Sequence, residues 1–335
     1  MLCFLPELET AVKVVNGLEQ LDPPLQRCVL TVGNFDGVHA GHQEILRRAK
    51  DIAQGARAPV AALTFDPHPL VIVAPAKAPL RLMSVDERTE RLGESGAEIV
   101  VVGKSAPALL GMEAERFITD VLRDRFHPAH IVEGTSFGFG KGRKGTPELL
   151  RQVAGTFGCQ VHIVEPVSVE GEDGQTLLVS SSLIRKLLME GDVANAARCL
   201  GRPYAIESIV VLGAGRGRAM GFPTANFHTP AGQVEPGEGV YAGVTWVGKA
   251  RYGSAVSIGR AETFGGGKRQ VESHLLNFTG DLYDKMIRVE FLSRIRSQRK
   301  FASAVELVQQ IQWDIEEVRK RSAVILSEAK NLTKE

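Results

Sequence analysis

The stretch CVLTVGNFDGVHAGHQEILRRAKDIAQ (28–54) runs from a β-branched segment through a glycine-rich turn into an amphipathic helix. Residues 28–35 predict a buried strand, and the apolar positions of residues 41–54 fall on one face of a helix. A strand followed by a helix is the unit of a parallel sheet, whose ligands bind at the carboxyl ends of the strands. We therefore expect a ligand site in the turn GNFDGVHAGH (33–42).

Further β-branched runs alternate with helical segments up to about residue 180. The runs are VAALTF (60–65), EIVVV (98–102), AHIVE (129–133) and CQVHIVEP (159–166). The helical segments are VDERTERLGES, which follows a capping box of Ser84 and Glu87, EAERFITDVLRDRF (113–126) and TPELLRQVAGTF (146–157). This alternation predicts a three-layer Rossmann-like domain with a parallel, doubly wound sheet, which we assign to residues 1–198.

The character of the chain changes after SSSLIRKLLMEGDVANAARCLG (180–201), which predicts two short helices separated at Gly191 and Asp192. Nearly half of the 35 glycines lie between Gly201 and Gly280, and they interrupt short alternating strands. Such strands predict an antiparallel β-barrel, closed by an amphipathic helix at 303–320. The fold class is thus α/β plus β, with a second domain at 199–320 and a loose tail expected at 321–335.

Composition limits the functions that the chain can have. Its 335 residues include 40 Lys+Arg and 39 Asp+Glu, so no net field attracts a long polyanion, and no nucleic-acid partner is expected. The four cysteines are far apart, which favours reduced thiols and a cytoplasmic location. No apolar run is long enough for a membrane span, and no secretory signal is recognisable, so no membrane partner is expected.

His39 and His42 lie where the predicted strand ends and the helix begins. Each imidazole can donate to a phosphate oxygen and stabilise the charge that develops on a pentacoordinate phosphorus. Gly33, Gly37 and Gly41 would let the backbone approach such a ligand, and the helix opening at Gly41 would offer it unpaired N–H groups. The alternative is that both histidines are exposed or bonded locally. A zinc site is not expected, because no third ligand and no H-E-x-x-H helix accompany them.

Five motifs in order carry a resemblance to a known family. GNFDGVHAGH is similar to the H-x-G-H motif of the nucleotidyltransferase superfamily, specifically the bacterial FMN adenylyltransferases. TFDPHP (64–69), FGFGKGRKGTPELL (137–150) and VSSSLIRKLL (179–188) follow at the spacing of the bifunctional riboflavin kinase/FAD synthetases. GFPTANF (221–227) resembles the signature of the riboflavin kinases, so the resemblance extends from about Val14 to Lys320.

For the first domain, the resemblance implies that His39, His42 and Arg185 stabilise charge during adenylyl transfer. It implies ATP or phosphate contacts from Gly33, Phe35, Asp36, Gly41, Ser180, Ser181 and Ser182. It implies flavin contacts from Asp66, His68, Phe137, Phe139, Lys141 and Arg143. The family usually carries an acidic or amide residue and a larger residue where this chain has Thr135, Ser136 and Gly138.

Structural alternatives accompany each of these first-domain assignments. Ser181 or Ser182 can serve only as a helix cap, with Arg185 on a solvated face. The basic loop that contains Lys141 can be solvated, and the Asp66 segment can simply brace its turn.

For the second domain, the resemblance implies a nucleotide loop in GAGRGRAMGFPTANF (213–227), with contacts from Gly217, Arg218, Gly221 and Pro223. Thr224 and Asn226 offer neutral oxygen atoms suited to Mg²⁺. Glu272 matches the family's catalytic base, which takes a proton from the attacking alcohol. The chain departs from the family at Ser257, Arg260, Ala261 and Glu262, and RIRSQRK (294–300) is either part of a flavin flap or a solvated connector.

The expected function is therefore riboflavin phosphorylation to FMN, followed by adenylylation of FMN to FAD with release of pyrophosphate. The expected partners are riboflavin, FMN, FAD and ATP as co-substrate, with Mg²⁺ in both steps and no tightly bound transition metal. One alternative is another nucleotidyltransferase with a degenerate or purely flavin-binding barrel. A second, a flavin- or RNA-binding module without activity, lacks the expected aromatic and basic stripe, since aromatic residues are only 6% of the chain.

Overall fold

The computed structural model describes residues 12–213, 215, 217, 220–260 and 269–332, and the chain divides into two compact units. The first unit comprises the chain up to Pro79 together with Ser84–Ser168, and the second comprises Leu80–Met83 together with the chain from Val169. Each unit contains one six-stranded sheet.

The first unit alternates strands and helices. Its strands are β1 (Lys13–Asn16), β2 (Cys28–Val32), β3 (Val60–Asp66), β4 (Ile99–Lys104), β5 (Pro128–Gly134) and β6 (Gln160–Val164). Its helices are α1 (Ala40–Ala56), α2 (Pro69–Val73), α3 (Val85–Glu94), α4 (Pro107–Leu110), α5 (Ala114–Arg116), which continues as a π-helical segment (Phe117–Phe126), and α6 (Pro147–Gly155). Short 3₁₀ turns cover Leu18–Gln20, Pro75–Lys77 and Lys141–Arg143.

All strands of this sheet are parallel, in the order β1-β4-β3-β2-β5-β6. The strand order reverses between β2 and β5: β3 and β4 follow on one side of β2, whereas β5 and β6 lie on its other side. Helix α3 begins as predicted, with the Ser84 hydroxyl accepting a hydrogen bond of 3.1 Å from the N–H of Glu87. The predicted doubly wound domain is confirmed, and β2 and β5 mark its switch point.

The chain continues from the first unit into the second through a small two-stranded sheet, β7 (Ser168–Glu170) and β8 (Thr176–Leu178). The helices α7 (Ser181–Glu190) and α8 (Val193–Leu200) follow. As predicted, Gly191 ends α7 with a φ of 83° and Asp192 caps α8. The six-stranded sheet contains β9 (Tyr204–Ile209), β10 (Ala225–Phe227), β11 (Gly239–Val247), β12 (Ala250–Arg260), β13 (Arg269–Leu275) and β14 (Met286–Arg296), and helix α9 (Ala304–Leu332) ends the described chain.

The larger sheet of the second unit is antiparallel throughout, in the order β10-β13-β12-β11-β14-β9. It curls until its two outer strands approach each other, where the N–H of Val211 donates to the carbonyl oxygen of Asn226 at 2.7 Å. The predicted antiparallel β domain with a C-terminal helix is confirmed. Helix α9 packs on this sheet through the buried Val318 and continues to Leu332, so residues 321–332, expected to form a loose tail, have a helical backbone.

The compact units do not coincide with the sequence domains that we assigned. Helix α8 packs against β14 and β9, so the α7–α8 pair belongs to the second unit, whereas the sequence pattern places it at the end of the first domain. The assignment 1–198 and 199–320 stays a prediction. Within the part of the chain that the structure describes, no helix combines the length and apolar character needed to cross a bilayer.

Candidate active sites

The histidine turn follows β2 in the first unit. Phe35 and Val38 take positive φ angles of 48° and 38°, with Gly37 at 91° between them, and these conformations reverse the chain before α1. His39 is the N-cap of α1, and its carbonyl oxygen accepts from the N–H groups of His42 (2.8 Å) and Gln43 (3.0 Å). The helix therefore begins at Ala40, one residue before the predicted Gly41, and the role of its first N–H groups in phosphate binding stays a prediction.

The turn brings the two histidine rings together. Their centroids lie 3.6 Å apart with the planes 16° from parallel, and the ring of Phe35 packs edge-on against His42 at 5.2 Å. Burial lowers the pKa of His42 well below its ordinary value, and the neighbouring His39 lowers it further. A Cβ at Gly41 would lie 3.2 Å from the His39 ring, so glycine at this position leaves room for the stacked pair.

The other predicted phosphate residues of the turn are packed rather than exposed. Phe35 is 2% exposed and Asp36 is 6% exposed. A Cβ at Gly33 would lie 3.2 Å from the Phe35 ring, so Gly33 allows this ring to fold back beneath the turn. Phe35 thus supports the histidine pair from the protein side.

Two residues that the sequence analysis did not single out, Arg88 and Glu133, form hydrogen bonds with the backbone of Asn34 and Val32 at the start of the histidine turn. Arg88 on α3 is buried, and its Nη1 donates to the carbonyl oxygen of Asn34 at 2.8 Å, where the Thr64 hydroxyl also donates at 3.1 Å. Glu133 at the end of β5 accepts a hydrogen bond of 2.6 Å from the N–H of Val32. Burial raises the pKa of Glu133 well above its ordinary value.

Asp66 and His68 lie beside this turn, at the carboxyl end of β3. The Nδ1 atom of His68 accepts from the N–H of Leu70 at 3.1 Å, and its Nε2 atom lies 3.1 Å from the side-chain amide of Asn34. An Arg88 Nη2 atom lies 3.9 Å from the Asp66 carboxylate. His68 therefore caps α2 and connects the Asp66 loop to the histidine turn. These contacts agree with the alternative in which the Asp66 segment braces its turn.

The loop after β5 contains the other predicted flavin contacts. Phe139 is 6% exposed in the hydrophobic core, while Phe137 stacks on it at 5.0 Å and is only partly buried. Lys141 lies 3.5 Å from the carboxylate of Glu113, and the Nη2 atom of Arg143 donates to the carbonyl oxygen of Ser136 at 3.3 Å. Phe139 is a core residue, so Phe137 is the aromatic side chain available to a ligand here.

In the second unit, α7 contains the predicted serines and Arg185. The cap is Ser180, whose hydroxyl accepts from the N–H of Leu183 at 3.2 Å, and not Ser181 or Ser182. The Nε atom of Arg185 donates to the carbonyl oxygen of Leu80 at 2.6 Å.

Asn226 and Glu272 lie opposite each other on β10 and β13, and Ser257 of β12 is opposite Glu272 on its other side. Directly opposed residues of antiparallel strands share a face, with Cβ atoms about 5 Å apart. As the alternation predicts, Val271 and Ser273 are buried on the other face, and Glu272 is half-buried. Ser257, one of the departures from the family, accepts from Gln298 at 2.9 Å.

The side-chain amide of Asn226 is enclosed on three sides. Its Nδ2 atom donates to the Thr224 carbonyl oxygen at 3.1 Å and lies 3.3 Å from the Thr224 hydroxyl, while its Oδ1 atom accepts from Gln270 at 2.7 Å. A Cβ at Gly213 would lie 2.4 Å from the Asn226 Cγ atom. A hydroxyl and an amide oxygen suit a hard cation, so these residues fit Mg²⁺ when the amide presents its oxygen to Thr224.

The nucleotide loop approaches this site through residues 213–223. The carbonyl oxygen of Gly217 accepts from the N–H groups of Met220 (3.1 Å) and Phe222 (2.8 Å), and a Cβ at Gly217 would lie 2.4 Å from the Phe222 oxygen. Gly221 has a φ of 86°, and the Pro223 carbonyl oxygen lies 2.8 Å from the ring Nδ1 of His274. Arg218, Ala261 and Glu262 lie outside the described residues.

The basic run 294–300 is mostly exposed, and several of its side chains make specific contacts. Arg296 forms an ion pair of 2.8 Å with the buried Asp314 of α9, and Arg294 donates to the carbonyl oxygen of Glu238 at 2.5 Å. Arg299 lies over the ring of Phe301 at 4.8 Å from its centroid. The run therefore connects β14 to α9 through specific contacts.

The fold and the two sites define a two-domain transferase that combines an α/β nucleotidyltransferase unit with a curled β kinase unit. Two family models match in that order, "FAD synthetase" over residues 22–178 and "Riboflavin kinase" over residues 200–322. The chain belongs to the family of bifunctional riboflavin kinase/FMN adenylyltransferases, the enzymes of flavin cofactor biosynthesis.

Relatives match over nearly the whole chain. The bifunctional riboflavin kinase/FMN adenylyltransferase of Escherichia coli (strain K12) is 35% identical over 305 residues, which are 90% of this chain and 96% of that protein. The protein of the same name from Bacillus subtilis (strain 168) is 34% identical, over 87% of this chain and 91% of its own length. A crystal structure described as a macrolide-efflux protein from Streptococcus pneumoniae has a TM-score of 0.80 at 30% identity, covering 92% of this chain and 99% of that one.

Proposed function

We propose that the second unit transfers the γ-phosphoryl group of ATP to riboflavin and that the first unit transfers the adenylyl group of ATP to the resulting FMN. The observation that carries this proposal is that each unit has its own set of chemically suited residues. The first has a stacked pair of histidines at the end of β2, and the second has a cross-strand pair of amide and carboxylate.

For adenylyl transfer, an oxygen of the FMN phosphate attacks the α-phosphorus of ATP, and the bond to the β-phosphate oxygen breaks to release pyrophosphate. The FMN phosphate is already a nucleophile, so no base is required. His39 and His42 donate to the oxygens on which charge builds, and His42 does so as a neutral imidazole because burial lowers its pKa. The family resemblance adds Arg185 as a further donor, and this role stays a prediction.

For riboflavin phosphorylation, a hydroxyl of riboflavin attacks the γ-phosphorus of ATP, and the bond to the β-phosphate oxygen breaks to release ADP. This hydroxyl is neutral and must lose a proton as it attacks. Glu272 accepts this proton, since its carboxylate shares a face of the sheet with Asn226. Thr224 and Asn226 would hold Mg²⁺, which supplies charge neutralisation at the phosphates. The glycines of the nucleotide loop let the backbone approach those phosphates.

The test is a time course with purified protein, riboflavin, ATP and MgCl₂, with the flavins separated by chromatography. We expect FMN first and FAD second, and FAD at once when FMN replaces riboflavin. Formation of FAD from FMN without phosphorylation of riboflavin would favour the alternative of a degenerate barrel, which the departures at Ser257 and Arg260 motivate. The cytoplasmic location stays a prediction from cysteine usage.

A further inference from the structure

We propose that Gln270 is a positioning residue of the kinase site, whose side-chain amide pairs with the Asn226 amide and can hold it with either its nitrogen or its oxygen toward the Thr224 hydroxyl. The proposal deepens the proposed function and rests on it, because it takes Thr224 and Asn226 as the cation ligands. It assigns to this chain a device that adjusts the affinity of the kinase site for its divalent cation.

The contact itself is direct. Gln270 precedes Glu272 by two residues on β13, so the two side chains share a face, and Gln270 is diagonal to Asn226 on the neighbouring strand. Its Nε2 atom donates to the Asn226 Oδ1 atom at 2.7 Å. This bond directs the nitrogen of Asn226 toward Thr224, whose carbonyl oxygen lies 3.1 Å away.

The Asn226 side chain has little room to swing aside. Asn226 is 7% exposed, and its amide packs so closely on Gly213 that a Cβ there would lie 2.4 Å from the Asn226 Cγ. The backbone of Asn226 is also fixed by the hydrogen bond from Val211. The movement that this packing leaves is a turn of the amide about its Cβ–Cγ bond, which exchanges two groups of nearly equal size.

That turn converts the observed arrangement into a cation site, and it gives up the hydrogen bond of 3.1 Å from the Asn226 nitrogen to the Thr224 carbonyl oxygen, a loss that binding of the cation must offset. The Asn226 nitrogen now lies 3.3 Å from the Thr224 hydroxyl oxygen, and an amide nitrogen is not a ligand for Mg²⁺. Exchanging nitrogen for oxygen places two oxygen ligands at about this separation. Neighbouring ligands of an octahedral Mg²⁺, each at about 2.1 Å from the cation, are about 3.0 Å apart, so only a small closure is needed.

Gln270 is suited to both orientations because an amide can donate or accept. When the Asn226 oxygen faces Thr224, its nitrogen faces Gln270, which must then accept through Oε1. A glutamate at position 270 can only accept when ionised and favours the cation-ready orientation. A lysine at position 270 can only donate and favours the observed orientation. Gln270→Leu removes the hydrogen bond from residue 270 to Asn226 in both orientations of the Asn226 amide. It should therefore change the relative populations of the two orientations least.

The experiment measures Mn²⁺ binding to the full chain by electron paramagnetic resonance, with saturating ADP and 0.5 M KCl. The kinase site is the class of bound Mn²⁺ that is lost in Thr224→Val. We expect Gln270→Glu to lower the Kd of this class about tenfold and Gln270→Lys to raise it about tenfold, the worth of one net hydrogen bond. Gln270→Leu should stay within about threefold of the wild type.

A charge effect is separated by Gln298→Glu, which adds the same charge beside Ser257 of β12, two strands away from Asn226 on β10. This control should leave the Kd for Mn²⁺ unchanged, because 0.5 M KCl screens the interaction between exposed charges beyond a few ångströms. The proposal is overturned if Gln270→Glu and Gln270→Lys bind Mn²⁺ equally, or if Gln298→Glu tightens binding as much as Gln270→Glu. Failure of the proposed function would give a different result. The wild type would then form no FMN from riboflavin, or Thr224→Val would bind as many Mn²⁺ ions as the wild type.

A second measurement serves if a charged variant does not fold. In ¹⁵N-labelled wild-type protein with ADP, Mg²⁺ should shift the side-chain amide resonances of Asn226 and Gln270 together, because both amides turn. Asn226 resonances that do not change on Mg²⁺ saturation would overturn the proposal.

Discussion

The N–H of Val32 donates a hydrogen bond of 2.6 Å to the Oε1 atom of Glu133. Val32 is the last residue of β2, and Glu133 lies near the end of β5, where the order of the sheet reverses. Glu133 is 2% exposed, and burial raises the pKa of its carboxyl group well above the ordinary value. A buried carboxyl group therefore accepts from the last N–H of β2 at the point where the histidine turn leaves the sheet.

Replacing Glu133 with leucine should weaken this attachment. The N–H of Val32 would be buried without its acceptor, which costs about 1–3 kcal/mol of unfolding free energy. We expect Glu133→Leu to lower kcat/KM for FMN adenylylation about tenfold, while Glu133→Gln, which keeps an acceptor oxygen, stays near the wild type. Riboflavin phosphorylation in the same preparations is the internal control. Equal adenylylation rates in both variants and the wild type would show that the bond does not position the turn.

The raised pKa of Glu133 also has a consequence for stability at different pH. The folded chain keeps this proton above the pH at which the unfolded chain releases it, so the stability contribution is complete below about pH 4.5 and is lost as pH rises toward the folded pKa. We expect Glu133→Gln to gain stability relative to the wild type between pH 5 and pH 8. Urea unfolding at the two pH values measures this difference, and an identical difference at both would contradict it.

Gly41 can be tested against a glycine on the same helix. A Cβ at Gly41 would lie 3.2 Å from the His39 ring, whereas a Cβ at Gly55 would meet nothing within 4 Å. Both substitutions to alanine improve helix propensity by up to about 1 kcal/mol. We expect Gly41→Ala to displace His39 and lower FMN adenylylation at least tenfold, and Gly55→Ala to leave it unchanged. Equal activity of the two variants would mean that the stacked geometry is not required.

Gly213 supports Asn226 in the kinase site. The Cβ of an alanine there would lie 2.4 Å from the Asn226 Cγ, a separation that forces the amide to move. We expect Gly213→Ala to lower riboflavin phosphorylation at least a hundredfold and to leave FMN adenylylation intact. Chromatography of flavins with each substrate in turn measures both rates. A variant that phosphorylates riboflavin at the wild-type rate would remove Asn226 from the site.

The strand and helix pattern was predictable because periodicity and caps are local properties of the sequence. The buried run before Gly33 and the capping box at Ser84 predict elements that the structure contains. The strand β1 was missed, since its four residues are mostly exposed and carry no periodic signal. The continuation of α9 beyond Lys320 was missed for a similar reason, because the sequence there is weakly patterned.

The residues that support the sites were not predictable, because they act across the fold. Arg88 resembles any charged residue of an amphipathic helix until α3 packs beneath the histidine turn. Gln270 has no motif, and its contact with Asn226 depends on the register between β10 and β13. Phe139 is the opposite case: the family resemblance implies a flavin contact, the structure places its side chain in the hydrophobic core, and the contact stays a prediction.

The central claim is that each of the two units contains the active site for one of the two reactions, so a variant that has lost one reaction should still catalyse the other. The most direct measurement mixes His42→Ala with Glu272→Ala and supplies riboflavin, ATP and MgCl₂. Loss of one transition-state donor costs about 10²–10³ in rate, so His42→Ala alone should stop at FMN. Loss of a general base costs about 10²–10⁴, so Glu272→Ala alone should leave riboflavin largely unchanged. The mixture should form FAD. A mixture that forms no FAD, or either variant forming FAD from riboflavin alone at the wild-type rate, would contradict the claim.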